Sequence, residues 1–390
     1  MCIIASYGFA RPVTDSLFLK HHGAQNLPLV YLLSPFVTAL AIGFYNHFNV
    51  KYSLLRLLGC AAIISILVML ICLWMYELRL PGSVYMLYVW REVYMVLLVE
   101  IFWSLADTLF NLKSARRSYG LVLAIGSIGG FSNLMVGVLA DHFGTSMALL
   151  GVVPCLGTCA LLTWVFSKNL LVKPVVVDAQ KRAVGLKALS VVKNSHYLLP
   201  LLFLIAIVQI SVSLIDLQWN TFLEATYTDT DVRTGIIGKI HTVDNVLAAF
   251  LQFFAGYIIK LLGMGGVFVG IPVFLSVFVC SFIGSPRFMG AAILKISSKM
   301  FDYSLFRASK EMLYIPLSHA EKTQGKALID ILVYRIAKSS AALLMIFMLT
   351  FGLAAYSMHL VLALMVGWIL LAGLIVKRYK SVVSLYNEEA

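Results

Sequence analysis

Charged side chains are what this sequence has least of. Lys, Arg, Asp and Glu together make up 12% of its 390 residues, where a soluble domain carries about a quarter. Apolar residues rise to 61% in their place. One water-soluble core cannot absorb that excess, so a bilayer is the natural solvent. At about 20 residues per crossing plus short loops, the length accommodates about twelve helices. Acids are scarcer than bases, 18 against 30, which leaves a net charge of +12. No basic stretch is long or interleaved with exposed aromatics, so nucleic acid is excluded as a partner.

Other absences narrow the class further. The six cysteines, Cys2, Cys60, Cys72, Cys155, Cys159 and Cys280, include no C-x-x-C pair. They read as small lipid-facing or core residues, neither a disulfide framework nor a metal site. No P-loop, G-x-S-x-G or H-E-x-x-H is present, so the chain is not expected to be an enzyme or to hold a cofactor. The first apolar stretch contains Arg11, Pro12 and Asp15, unlike the h-region of a signal peptide. The chain begins almost inside its first helix, as a sequence with a short start would.

What is present is a succession of apolar runs. They predict spans over 1–19, 27–46, 54–76, 84–111, 119–140 and 146–167, then 198–220, 235–260, 265–284, 287–316, 327–351 and 354–376. The one long hydrophilic connection lies between them. The expected architecture is therefore an all-α membrane protein of twelve transmembrane helices. It comprises an N-terminal six-helix bundle (1–167), a cytoplasmic connecting loop (168–197) and a C-terminal six-helix bundle (198–390). With the N-terminus inside, seventeen Lys and Arg fall on cytoplasmic segments and four, Lys20, Arg79, Arg233 and Arg287, on the other side. That bias predicts both termini in the cytoplasm. Gly126 and Gly130 add a G-x-x-x-G that permits close helix approach in the fifth span.

Nine bases and nine acids remain inside the predicted spans. Each costs about 2.5–3.5 kcal/mol at the bilayer centre if it faces lipid unpaired. Residues near span ends can snorkel; the others must face a water-filled or ligand-filled interior. In the seventh span Gln209, Ser213, Asp216 and Asn220 form one polar stripe on an apolar helix. In the fourth, Glu100, Ser104, Asp107 and Asn111 share a face. In the tenth, Lys295, Lys299, Asp302 and Lys310 lie on one side, flanked by Arg307 and Glu311, and in the eleventh Asp330, Arg335 and Lys338 lie close together. Such stripes predict a central cavity. Two readings stay open for the pairs Lys299–Asp302 and Arg307–Glu311, which at i, i+3 and i, i+4 could equally fasten helices. For Arg91 and Glu92, an interfacial position and a cavity role are equally open. Lone histidines such as His241 and His359 are expected to serve packing or hydrogen bonding.

From Asp302 to Leu344 the sequence resembles the ATP/ADP (nucleotide) transporter family of plastids and intracellular bacteria. The family's K-E-M-A-Y-I-P-L, G-K-A, Asp and R-x-x-K-S elements match at Lys310, Glu311, Tyr314, Pro316, Gly325, Lys326, Asp330, Arg335, Lys338 and Ser339. Weaker similarity covers most of the chain. FARPVTDSLFL resembles the R-D-T-K-D motif, keeping Arg11 and Asp15. FWSLAD around Trp103 is similar to F-W-x-x-A-N, and LIDLQWN resembles V-E-x-x-W-K with Asp216 and Trp219 in place. The chain departs from the family at Pro12, Thr14, Asn220 and Arg307, where Thr14 and Asn220 replace lysines.

The resemblance implies a major-facilitator-like fold and nucleotide exchange across a membrane. The expected function is a secondary transporter working by alternating access on a nucleotide or related phosphorylated organic anion. Arg11, Lys310, Arg335 and Lys338 would bind anionic groups. Asp216, Glu100 and Asp244 would contact a base or sugar, form gating ion pairs or carry a proton. Asp15, Asp107, Asn220, Lys299 and Glu311 complete the candidate substrate-binding set. Two alternatives are a proton-coupled transporter of a non-nucleotide solute and a non-transporting membrane receptor on the same fold. The expected setting is a bacterial inner membrane, with membrane lipid and a small anionic substrate as partners and a monomer as the working form.

Overall fold

A computed structural model describes residues 1–49, 52–109, 125–169, 186–314, 317, 321, 325–329 and 333–389. Among them every regular element is helical. In chain order these are α1 (Cys2–His22), α2 (Leu27–Asn49), α3 (Leu54–Glu77), α4 (Ser83–Leu109), α5 (Ser132–Phe143) and α6 (Val152–Asn169). A short helix α7 (Leu186–Asn194) precedes α8 (Leu198–Thr226), α9 (Thr230–Gly284) and α10 (Phe288–Phe301). A π-helical turn over Asp302–Phe306 joins α10 to α11 (Arg307–Leu313), and α12 (Tyr334–Thr350) and α13 (Ser357–Glu389) close the chain. Helices are the expected answer in lipid, where each backbone N–H and C=O must find its partner within its own segment.

Where residues are described, the expected spans correspond to these helices once α9 is divided; residues 110–111 of the fourth, 119–124 of the fifth, 315–316 of the tenth and 330–332 of the eleventh lie outside the described residues. An unbroken helix of 55 residues would be about 80 Å long at 1.5 Å per residue, far beyond a hydrocarbon core of about 30 Å. Gly263, with φ +69° and ψ 168°, breaks it. An L side chain rarely adopts that backbone conformation. The break falls inside the 261–264 gap that separates the eighth and ninth expected spans. Among the described residues, six helical stretches are long and apolar enough to cross a bilayer by length and composition alone. Much apolar surface is exposed, with Phe253 at 84% and Leu261 at 71%, as on a protein solvated by acyl chains.

By internal contacts the chain divides into two compact units, Met1–Val177 with Leu223–Asn245, and Asp178–Phe222 with Val246–Ala390. In the first, α1 packs on α4, α5 and α6, and α3 packs on α4 and α6. The segment 223–245 is stitched to this unit by polar contacts at helix ends. Thr145 donates from its backbone N–H and its Oγ1 to Asp231 Oδ1 at 2.7 and 2.6 Å. Ser16 Oγ donates to the Thr230 carbonyl at 2.9 Å, and the Ala24 N–H donates to Glu224 Oε2 at 2.6 Å. Arg233, only 3% exposed, donates through Nε to the Tyr227 carbonyl at 2.8 Å. Its guanidinium thus replaces water for backbone oxygens that end α8.

The second unit closes around apolar contacts. Phe306 meets Phe268 of α9 and Trp368 of α13 at ring separations of 5.8 and 5.7 Å. Ser357 Oγ donates to Gln218 Oε1 at 2.9 Å, tying the start of α13 to α8.

Within the first unit α5 and α9 approach almost backbone to backbone. A Cβ on Gly137 would lie 3.0 Å from Cα of Gly235, and one on Gly238 would collide with the Asn133 carbonyl oxygen. Small residues at such crossings let helices use their backbones as packing surface. Gly238→Ala is therefore expected to lower stability by about 1–3 kcal/mol through overpacking. Thermal unfolding of the purified variant in detergent checks this, and an unchanged melting temperature would count against the packing described.

Candidate functional site

The polar stripe of α8 faces α10. Gln209 Nε2 donates to Asp302 Oδ1 at 2.8 Å, and the Lys295 ammonium pairs with Asp216. The two contacts share one register, since seven residues forward on α8 correspond to seven residues back on the antiparallel α10. They form two rungs about two helical turns, or about 10 Å, apart. Lys295 is 1% exposed, Asp216 7% and Asp302 9%. Asn220, one turn beyond Asp216, donates through Nδ2 to the Asp216 backbone carbonyl at 2.8 Å. Lys299 is half-buried, with Nζ 5.6 Å from the centroid of the Tyr303 ring.

The π turn begins at the second rung. In an uninterrupted α-helix, eight residues from Asp302 to Lys310 would rotate the side chain about 80° away at about 100° per residue. One π turn takes up one additional residue, which reduces the offset to about 20°. The turn therefore brings Lys310 onto the face that carries Lys295 and Asp302. Lys310 is 4% exposed and lies 5.1 Å from the centroid of the Tyr334 ring. Beside it Glu311 is engaged on both oxygens, Oε1 by Lys310 Nζ at 3.8 Å and Oε2 by Lys326 Nζ at 2.6 Å. Tyr197 OH donates to the Leu313 carbonyl at 3.1 Å, anchoring the end of α11. Burial raises the pKa of that phenol above its ordinary value, so it stays a donor.

The first unit holds a second charged cluster. Arg91 of α4 is 2% exposed and donates to Asp15 Oδ1 at 2.5 Å, Thr14 Oγ1 at 2.7 Å and the Arg11 carbonyl at 3.2 Å. Its Nη2 reaches Glu92 Oε1 at 2.9 Å, and its guanidinium carbon lies 4.0 Å from the Tyr88 ring centroid. Arg11 Nε is 3.8 Å from Asp15 Oδ2. Tyr7 OH donates to Glu92 Oε1 at 3.4 Å. A planar guanidinium suits this place because its donors reach several acceptors at once. The Arg91 side chain is enclosed by protein and tied to α1.

The remaining candidates fall in different places. Asp244, 3% exposed, pairs with His241 at 3.4 Å between Oδ2 and Nδ1 within the first unit. Arg335 and Lys338 are half-buried on α12, and Glu100 is exposed on α4. The Asp107 side chain, Asn111, Pro316 and Asp330 lie outside the described residues. The structure brings together Asp216 with Lys295, Lys310 with Glu311, and Arg11 with Asp15. Sequence reasoning did not single out Lys295 as the partner of Asp216, Arg91 as the centre of its cluster, or Lys326 beside Glu311. Their signal was positional: a base on α10 at the register of an acid on α8, and a Lys in the matched G-K-A element.

The profile of the TLC ATP/ADP transporter family matches residues 59–290 and 288–379. The chain is 28% identical to ADP,ATP carrier protein 1 of Chlamydia pneumoniae over 64% of its own length and 57% of that protein's. It is 21% identical to ADP,ATP carrier protein 3 of Rickettsia bellii, covering 88% of this chain and 84% of the other. Thus it spans little more than half the length of the Chlamydia relative. Among solved structures, the POT family transporter PepTSo superposes with a TM-score of 0.69 at 12% identity, over 97% of this chain and 98% of that one. At that identity the likeness speaks for the fold, two six-helix bundles of the major-facilitator kind.

Removing one partner of a buried ion pair costs about 3–5 kcal/mol because the other charge keeps its desolvation penalty. Lys295→Ala is expected to lose stability on that scale, and Lys295→Met combined with Asp216→Leu to recover most of it. Thermal melting of both variants in the same detergent is the check. Equal losses in the two would show that the Lys295–Asp216 contact is not what stabilises this crossing.

Proposed function

The chain belongs to the TLC ATP/ADP transporter family, and on that premise we propose that it is a secondary transporter carrying or exchanging a nucleotide or related phosphorylated organic anion by alternating access. The observation that carries this reading is Lys310. A lysine that is 4% exposed inside a membrane protein is costly to bury, and such residues mark ligand and ion pathways. Its placement in the K-E-M element that the family shares, on the face turned by the π segment, makes it the cation to which an anionic substrate would bind. An ammonium is a compact, strongly hydrated point charge suited to phosphate oxygens. Arg335 and Lys338 on α12 would add positive charge for the same anion, with Lys299 beside them in the candidate set.

Asp216, Asn220 and Asp302 have a supporting part in this reading. Asp216 holds Lys295, Asp302 holds Gln209 and Asn220 bonds the Asp216 backbone, and they leave hydrogen-bonding capacity for a base or ribose. Arg11 and Asp15 would act through Arg91, whose contacts fix their positions. Glu100, Asp107 and Asp244 remain candidates for substrate or proton contact. The substrate is a small anionic molecule, and the protein works as a monomer in a bacterial inner membrane. Both termini face the cytoplasm, with the connecting segment 168–197 between the two bundles on that side.

The test is a thermal-shift screen of the purified protein against nucleotides, nucleosides, phosphorylated sugars and amino acids. A ligand that binds only the native state raises the melting temperature, by about 2.7 kcal/mol of stabilisation at a hundredfold excess over Kd. ATP, ADP or another nucleotide is expected to stabilise the wild type, and Lys310→Ala to abolish both that shift and uptake while still folding. A null with every nucleotide, beside a shift with another solute, would move the function to the non-nucleotide alternative. Normal uptake by Lys310→Ala would remove the anion-site assignment.

A further inference from the structure

Glu311 holds a position that transport of an anion does not by itself require. Its two carboxylate oxygens each face a different lysine, Lys310 at 3.8 Å and Lys326 at 2.6 Å. The three side chains differ in exposure, with Lys310 at 5%, Lys326 at 35% and Glu311 at 46%. So one enclosed cation and one half-exposed cation are bridged by a solvent-facing carboxylate. Tyr334 and Tyr314 back the two ammonium groups at 5.1 and 5.4 Å to their ring centroids. The aromatic faces hold both lysines in place without contributing any negative charge of their own.

We propose that Lys310 and Lys326 form a seat for a polyphosphate group and that Glu311 is a tethered anion occupying it until the ligand arrives. The proposal deepens the nucleotide reading and rests on it. Its chemistry is charge compensation. An enclosed ammonium needs a counter-charge when no ligand is bound, and the neighbouring carboxylate provides it. A pair with one partner this exposed is weakly held, within about 0–1 kcal/mol, so a ligand with several negative charges displaces it readily. A monoanion would gain little over Glu311 itself, whereas a di- or triphosphate brings more charge than the carboxylate it replaces. The same device limits how tightly product is held, since Glu311 returns to the lysines when the ligand leaves.

The experiment uses the full-length purified protein at fixed ionic strength, titrated with inorganic tripolyphosphate and, separately, with ATP, with melting temperature as the readout. Glu311→Gln keeps the shape of the side chain and removes its charge. It is expected to lower the half-saturating tripolyphosphate concentration roughly threefold to fivefold, the scale of an exposed ion pair. Lys326→Ala is expected to raise it by at least a similar factor, and the double variant Glu311→Gln with Lys326→Ala to lose the gain of the first. Glu311→Asp, too short to span both lysines, should also bind more tightly than wild type and carries the test if the glutamine variant does not fold. Unchanged or weaker tripolyphosphate binding in the folded Glu311 variants, or no binding by any form, would overturn the seat. If ATP binds and is lost in Lys310→Ala but is indifferent to Glu311→Gln and Lys326→Ala, the transport reading stands and the seat falls. If tripolyphosphate binds as expected while no nucleotide does, the seat stands and the nucleotide reading falls.

Discussion

Inside a bilayer a charge has no water to turn to, so every ionised side chain must be given a partner by the protein itself. In the second unit that requirement fixes how α8 meets α10. The Lys295–Asp216 ion pair and the Gln209–Asp302 hydrogen bond sit two turns apart on the same faces. A helix rotated by one residue would break both. Apolar contacts then fill the space beside them, Trp219 of α8 against Phe288 of α10 at 5.2 Å and, toward α13, Phe306 against Trp368 at 5.7 Å. Those rings have no preferred register of their own. The polar rungs choose the register, and packing supplies most of the adhesion.

The first unit meets the same requirement differently. Here one guanidinium serves several acceptors, and Arg91 ties α4 to the Arg11, Thr14 and Asp15 positions of α1. A lysine could not do this with comparable geometry, because its three donors radiate from one nitrogen and lack the planar fork. Thr14, which falls where the family pattern has a lysine, accepts from Arg91 in this chain. Near that motif α4 thus adds the positive charge of Arg91 to that of Arg11 on α1.

How much of this could be read from the residues depended on what kind of periodicity carried it. Span positions were legible because apolar runs of about 20 residues match the thickness of a bilayer and little else. The break at Gly263 was legible as a glycine-containing gap between two such runs. The stripe Gln209, Ser213, Asp216, Asn220 was legible as a stripe, but a stripe does not say which helix it faces. That required the antiparallel register of α10, which depends on long-range packing. The π turn at Asp302–Phe306 was illegible for a related reason: its residues, Asp-Tyr-Ser-Leu-Phe, have no composition that distinguishes them from ordinary helix. For the same cause the sequence placed Lys310 with Lys295 on an approximate face without revealing what aligns it. Arg91 was ambiguous because its nearness to a span end suggested the interface, and only the neighbouring helix shows it to be enclosed.

Counting charge by location separates the two clusters. Around Arg91 there are two bases, Arg11 and Arg91, and two acids, Asp15 and Glu92, all mutually engaged. Among the described residues that group matches its bases and acids one for one. On α10 the pair Lys295 and Asp216 is likewise balanced. Beyond the π turn, among the described residues, Lys310 and Lys326 both engage the carboxylate of Glu311. Local field, more than the number of lysines along the chain, determines where an anion gains most. Two lysines gathered on one carboxylate past the π turn concentrate positive charge at that end of the face. A chain that lacks two lysines of its family's pattern can still be selective for anions if its remaining excess is concentrated in this way.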